Sequence, residues 1–284
     1  MYPEIHPFGI HVHSYVAMLI VAVLLCHWLG PFIGERLEGL PRWKVRSILL
    51  WLGIAAFAGG RAHFVWNSWS FGAYMSHPGA LLAFWRGLHA GGALLALTLA
   101  LPIIVCAHGI SLGRFVDALA PTIALGVAAA RVGCFLQGCC FGTTSDLPWA
   151  VSFPAGSPVV TFQASSGIIP RGALWSAAVH PLQLYFAGAA LVAAFIGLWM
   201  YKRRAYPGRV ALCVAAIALT SSALAEMVRA PYYPQFYFWG SRLQFEWIAI
   251  AMALTALTAL SYAETRSRFV LDAEASARIK RAAS

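Results

Sequence analysis

The chain has 284 residues, 60% of them hydrophobic and 11% charged, with a mean hydropathy of +0.71. A soluble domain carries about a quarter charged residues, so a water-soluble globular fold is excluded and lipid is the expected main solvent. The net charge of +10 raises the possibility of nucleic acid as a partner, but the distribution of the basic residues along the chain argues against it.

Seven windows are apolar enough to cross a hydrocarbon core, which takes roughly 20 residues of helix. The first, Tyr15 to Ile33, is preceded by His13 and by a start, Met1 to Phe8, that contains Glu4 and no Lys or Arg. It lacks the basic flank of a cleaved signal peptide and is expected to be a permanent helix. The second, Ser47 to Trp66, carries Arg61 and His63 near its end, and the third, Leu88 to Ala107, opens on His89. In the fourth, Val116 to Cys134, Arg131 follows three alanines and precedes Val132. Next comes a segment of about 40 residues, 139–179, longer than a structureless connection usually is and so expected to be a functional loop or small ordered region. Its Trp149, Val151, Phe153, Val159, Val160 and Phe162, broken by Pro148, Pro154 and Pro158, predict short strands. His180 precedes the fifth window, Pro181 to Met200, which holds Gln183 and Tyr185. The sixth, Val210 to Val228, carries Glu226 and is followed by Arg229, and the seventh, Leu243 to Tyr262, is preceded by Arg242 and contains Glu246. The tail, 263–284, reads as a short polar cytoplasmic helix.

With the N-terminus outside, the cytoplasmic segments hold Arg36, Arg42, Lys44, Arg46, Arg114, Lys202, Arg203, Arg204 and Arg209, and the basic residues of the tail. The outer segments hold only Arg86, Arg171, Arg229 and Arg242. The positive-inside rule therefore predicts an all-α, polytopic fold of about seven transmembrane helices, N-out and C-in. It forms a single membrane domain, 1–284, with 139–179 as an extracytoplasmic loop. The positive charge is a topology signal whose counterpart is anionic inner-leaflet lipid, and no nucleic-acid partner is expected.

This topology gives each helix a direction and places Tyr15, Arg61, His89, Arg131, His180, Gln183, Tyr185, Glu226, Arg229 and Arg242 toward the outer half. Tyr15 and Tyr185 also suit an interfacial aromatic belt, and Arg229 and Arg242 could snorkel to headgroups. Arg131, with a turn of apolar helix around it, marks a functional site. Arg61, Arg131, Arg229 and Arg242 outnumber Glu226 and Glu246 in this set. The excess cation suggests an anionic ligand, and the arginine fork suits phosphate, for which a phospholipid headgroup is the natural source at that depth.

Of the six cysteines, Cys26, Cys106 and Cys213 sit in apolar windows as small core residues. Cys134, Cys139 and Cys140 crowd together. They leave open a disulfide or a redox or soft-metal site in a membrane thiol-handling protein. The vicinal pair does not match the common C-x2-C zinc spacing, so no metal and no cofactor is assigned.

The run Ala130-Arg131-Val132-Gly133-Cys134-Phe135-Leu136-Gln137-Gly138-Cys139-Cys140-Phe141-Gly142 resembles the signature of bacterial prolipoprotein diacylglyceryl transferases, approximately G-R-x-G-N-F-x-N-x-E-x-x-G. Divergent members read G-C-F-x-x-G-C-C-Y-G. Asp146-Leu147-Pro148-Trp149-Ala150-Val151-Ser152-Phe153-Pro154 is similar to the family's D-L-P-W-G-V-x-F-P, and His180-Pro181-Leu182-Gln183-Leu184-Tyr185 to its H-P-x-Q-L-Y-E. Gly60-Arg61, the stretch from Gly87 to Gly92 around His89, Tyr15, and Glu226 with Arg229 fall in the family's order.

The resemblance implies an enzyme of the bacterial inner membrane that moves a diacylglyceryl group from phosphatidylglycerol to the lipobox cysteine of a prolipoprotein, releasing glycerol phosphate. It implies His89 as the base for the thiol and Arg131 as the group that holds the departing phosphate. Tyr15, Arg61, Gln137, Gly142, His180, Gln183, Tyr185, Glu226, Arg229 and Arg242 would bind substrate. The chain departs from the pattern at Cys134, Cys139, Phe186 and Ser222, each standing where the family carries a polar or charged group. A transferase of the same family with another acceptor or lipid fits the same motifs.

Overall fold

The computed structural model of the chain describes residues 4–5, 12–67, 87–203 and 206–231. The seventh predicted window, the tail 263–284, Arg242 and Glu246 lie outside the described residues, as do the side chains of His13 and Glu226. A two-residue antiparallel pairing, β1 (Glu4–Ile5) with β2 (Val12–His13), comes first. Helices follow: α1 (Ser14–Glu38), α2 (Arg42–Asn67), α3 (Ala90–Ala107), α4 (Leu112–Gln137), α5 (Pro158–Ser165), α6 (Leu182–Met200) and α7 (Arg209–Glu226). Four helical stretches, Ser14–Glu38, Arg42–Trp66, Leu112–Gln137 and Leu182–Arg203, are long and apolar enough to cross a membrane, and Gly91–Ala107 and Arg209–Ala225 are shorter apolar helices. The protein is a helical membrane protein with several spans. Pro31, Pro102 and Pro121 inside α1, α3 and α4 are tolerated there as they commonly are in membrane helices.

The chain divides into two compact units, Gly30–Ala118 and the remainder, Met1–Leu29 with Leu119–Ser284. Within Gly30–Ala118, α2 and α3 cross at Gly59 and Gly92, where a Cβ on Gly59 would sit 2.6 Å from the Gly92 carbonyl. Without a hydrophobic drive between helices in lipid, small residues that let backbones touch are what hold such a crossing. Polar ties close one end of this unit: Arg42 Nε donates to Glu35 at 2.6 Å, Arg114 Nε to Glu38 at 3.1 Å and Lys44 Nζ to the His108 carbonyl at 2.9 Å.

In the other unit, Gly133 on α4 faces α1 so closely that a Cβ there would lie 2.8 Å from Met18 Cβ and 3.3 Å from Tyr15 Cα. That contact fixes Tyr15 against the last turns of α4. Ala120, Ala124, Ala193, Ala194, Val210 and Val214 form the buried seam among α4, α6 and α7. The 139–179 segment folds around buried Phe141, Phe153, Val159 and Val179.

The predicted strands of that segment reduce to single bridges, Thr144 and Val151 to Val179 and Pro154 to Trp175, and an eight-residue helix, α5, stands where Val159, Val160 and Phe162 suggested a strand. Pro158 begins α5 instead of breaking a strand, because its fixed φ suits the first helical position, where an N–H is not needed. Gln163 on α5 replaces a ladder: its Oε1 accepts from Ala177 N at 2.8 Å and its Nε2 donates to Ala177 O at 3.3 Å.

Candidate active site

Three chain segments are knitted together at Gly142. Its N–H donates to the His180 carbonyl at 3.1 Å, Thr143 N–H to the Val228 carbonyl at 2.8 Å, His180 N–H to the Thr143 carbonyl at 3.0 Å and Ala230 N–H to the Phe141 carbonyl at 3.2 Å. A Cβ on Gly142 would lie 2.6 Å from His180 Cβ and 2.8 Å from the Val228 oxygen, so only glycine fits between them. This knot sets the end of α4, the start of α6 and the end of α7 side by side.

On that scaffold two guanidinium groups from different segments meet one ring. Arg131 of α4 lies 4.4 Å from the centroid of Phe186 on α6, and Arg229, just after α7, lies 5.8 Å from the same ring. Phe186 is buried, and a cation over an aromatic face gains about 0.5–2 kcal/mol. The ring thus holds both cations without supplying the negative charge that a carboxylate would.

Further polar groups lie on the same chain segments. Gln183 is fully buried; its Nε2 donates to the Cys139 carbonyl at 2.6 Å. Gln137 Oε1 and Gln183 Oε1 are buried acceptors with no hydrogen-bond donor among the described residues, which leaves both able to receive a ligand's hydroxyl. Trp149 Nε1 donates to Tyr185 Oη at 2.7 Å, and that hydroxyl stands 3.3 Å from His180 Nδ1, so a Trp149–Tyr185–His180 relay orients the imidazole. Tyr15 is within electrostatic reach of Arg131. Cys140 lies beyond α4 and is held below the ordinary thiol range because Cys134 and Cys139 hydrogen-bond its sulfur, with Arg131 and Arg229 favouring the thiolate.

Arg61 and His89 belong to the unit Gly30–Ala118. Arg61 is buried, donates from Nη1 to the Gly87 carbonyl at 3.1 Å and stands 5.2 Å from the Phe64 ring. His89 is the N-cap of α3, and its Nδ1 accepts from Gly91 N–H at 3.2 Å. Its ring meets that of His63 edge to face, centroids 4.1 Å apart. Burial, and then the neighbouring His63, push the His89 imidazole below its ordinary pKa, so it is neutral at pH 7. A neutral imidazole that accepts at Nδ1 carries its proton on Nε2.

Of the predicted site residues, Tyr15, Arg131, Gln137, Gly142, His180, Gln183, Tyr185 and Arg229 therefore fall within one unit, and Arg61 and His89 within the other. Arg242 and the Glu226 side chain are outside the described residues. Trp149 and Phe186 were not among the predicted site residues. The D-L-P-W run carried the signal for Trp149, whereas Phe186 had none beyond standing in place of a charged group.

Fold and site define a helical membrane protein in which two arginines share one aromatic ring and buried amides and an oriented histidine lie on the segments that backbone bonds join at Gly142. The family model described as prolipoprotein diacylglyceryl transferase matches residues 3–262, and the chain belongs to that family. It is 30% identical over 268 residues to the phosphatidylglycerol–prolipoprotein diacylglyceryl transferase of Azotobacter vinelandii, covering 89% of this chain and 90% of that one. The enzymes of that name from Ectopseudomonas mendocina and Bordetella avium are each 27% identical; the match covers 93% and 94% of this chain and 96% and 97% of theirs.

Proposed function

We propose that this chain is a phosphatidylglycerol–prolipoprotein diacylglyceryl transferase of the bacterial inner membrane, with about seven spans, N-out and C-in. The observation that carries the reading is the convergence of two guanidinium groups, Arg131 and Arg229, on Phe186 in a chain of this family.

In the reaction, the lipobox thiolate attacks the glyceryl carbon that bears the phosphodiester. A C–S bond forms, the C–O bond breaks, and its electron pair leaves on glycerol phosphate. Arg131, with Arg229 beside it, binds the phosphodiester and stabilises the charge that grows as the bond breaks, the electrostatic term usually largest in such chemistry. Gln137 Oε1 and Gln183 Oε1 accept from the headgroup glycerol hydroxyls. Tyr15, His180 and Tyr185 line the lipid, with Gly142 as the backbone joint that keeps them in register. Arg61, Glu226 and Arg242 complete the substrate-binding set.

The thiol's free pKa is about 8.5, so at neutral pH a base helps. His89 takes this role, and its low pKa keeps it neutral and able to accept. Because Nδ1 is engaged by Gly91 N–H, proton acceptance there requires the cap bond to open. Complementation tests the reading: expression in cells depleted of their own transferase should restore lipoprotein maturation, and failure of a well-expressed, membrane-inserted chain would contradict it.

A further inference from the structure

The Sγ atoms of Cys134, Cys139 and Cys140 all lie within 4.8 Å of one another, and the backbone explains why. Helix α4 ends in a Schellman turn: Gly138, with φ 73°, donates to the Phe135 carbonyl at 3.1 Å, and Cys139 N–H donates to the Cys134 carbonyl at 3.1 Å. That motif sets the side chains of its first and last residues, here Cys134 and Cys139, against each other. Cys140 then takes φ 59°, the only positive φ at a non-glycine among the described residues. A left-handed residue of this kind costs roughly 1–2 kcal/mol, and here it swings the third thiol onto the first two. Gln183 fixes the Cys139 peptide through its 2.6 Å bond to the carbonyl. Cys134 is buried and the other two half-buried.

We propose that Cys134, Cys139 and Cys140 form a three-sulfur site for a thiophilic d10 cation, Cu(I) or Zn(II), at the end of α4. Thiolates select these ions. Metal–sulfur bonds of about 2.3 Å in a trigonal array put the sulfurs about 4 Å apart, which small side-chain rotations reach from the observed spacing. Three thiolates around one such ion leave net negative charge, and Arg131 and Arg229, both within electrostatic reach of Cys140, balance it. The three cysteines stand close in the sequence and left a soft-metal site open, but their C-x4-C-C spacing is not the common C-x2-C zinc pattern, and it is the helix-terminating turn that brings the sulfurs together.

The test uses the full chain, purified in detergent and freshly reduced, titrated with Cu(I) or Zn(II) alone against a chromophoric chelator. One equivalent should be retained per chain, with sulfur scatterers near 2.3 Å by X-ray absorption. Affinity should fall more than about 100-fold in Cys139→Ser and in Cys140→Ser, since even outer-shell changes cost 10–100-fold. Cys140→Ser is the decisive variant, because Cys134→Ser disturbs a buried helix position. Retention of Cu(I) but not Zn(II) assigns the ion as cuprous, and the reverse assigns zinc. No retention by folded wild type overturns the proposal. So does retention unchanged in both serine variants, which would place binding at other cysteines, or a loss of two titratable thiols to a disulfide before metal binds.

Discussion

Gly142→Ala tests the knot that assembles the site. The added Cβ would lie 2.6 Å from His180 Cβ and 2.8 Å from the Val228 oxygen, whereas carbon atoms pack at about 3.5–4.0 Å. The neighbours must retreat by about 1 Å. Both belong to backbone held by bonds of 3.1 Å and 2.8 Å to residues 142 and 143, so they cannot swing aside as a flexible side chain would. Overpacking of this kind costs about 1–3 kcal/mol, and the apparent Tm in detergent should fall by roughly 5 °C. Transfer should fall further, because the strain enters at the joint between the α4 end that carries Arg131 and the segment that carries Arg229. Gly188→Ala on α6 is the control: nothing stands within 4 Å of its Cβ position, so it should match or slightly exceed wild-type stability. A Gly142→Ala chain with wild-type Tm and transfer would refute the reasoning.

Four further outcomes are expected. His89→Asn keeps an N-cap acceptor but removes the base; its transfer rate should climb about tenfold per pH unit below the thiol pKa of about 8.5, while wild type is flatter. An Asn variant with the wild-type pH profile would make His89 a cap alone. Because the His89 pKa is lowered, the neutral acceptor persists to lower pH, so the acid limb of wild-type transfer should lie below the usual imidazole value of about 6.5; a limb above it argues against the assignment. Arg131→Lys keeps charge but loses the fork, and transfer should drop roughly tenfold or more at every pH, with full activity sinking the phosphate role. Phe186→Leu removes the ring that holds both guanidiniums and should raise KM for phosphatidylglycerol several-fold; an unchanged KM would make the ring packing alone.

Hydropathy located the long helices among the described residues but not their ends. The window Tyr15 to Ile33 stops where lipid should stop, whereas α1 continues to Glu38 because Glu35 and Glu38 take partners in Arg42 and Arg114. The polar set was legible as motifs, and the structure bonds Gly142 to His180 and sets His180 beside Tyr185. Their contacts were not legible, since Gln183 reaches a backbone carbonyl 44 positions away and Trp149 reaches Tyr185 across 36. Likewise, His89 reads as a base from its residue type, but only the fold shows its Nδ1 capping α3. Phe186 looked like the loss of a charge; beside Arg131 and Arg229 it is an aromatic clamp.

The most direct measurement of the central claim is transfer in vitro. The purified chain, in vesicles containing phosphatidylglycerol, is mixed with a lipobox peptide and the products are weighed by mass spectrometry. The peptide should gain one diacylglyceryl group as a thioether at its cysteine, with glycerol phosphate released in equal amount. An unmodified peptide in the presence of folded protein, or equal transfer to a peptide whose cysteine is replaced by serine, would contradict it.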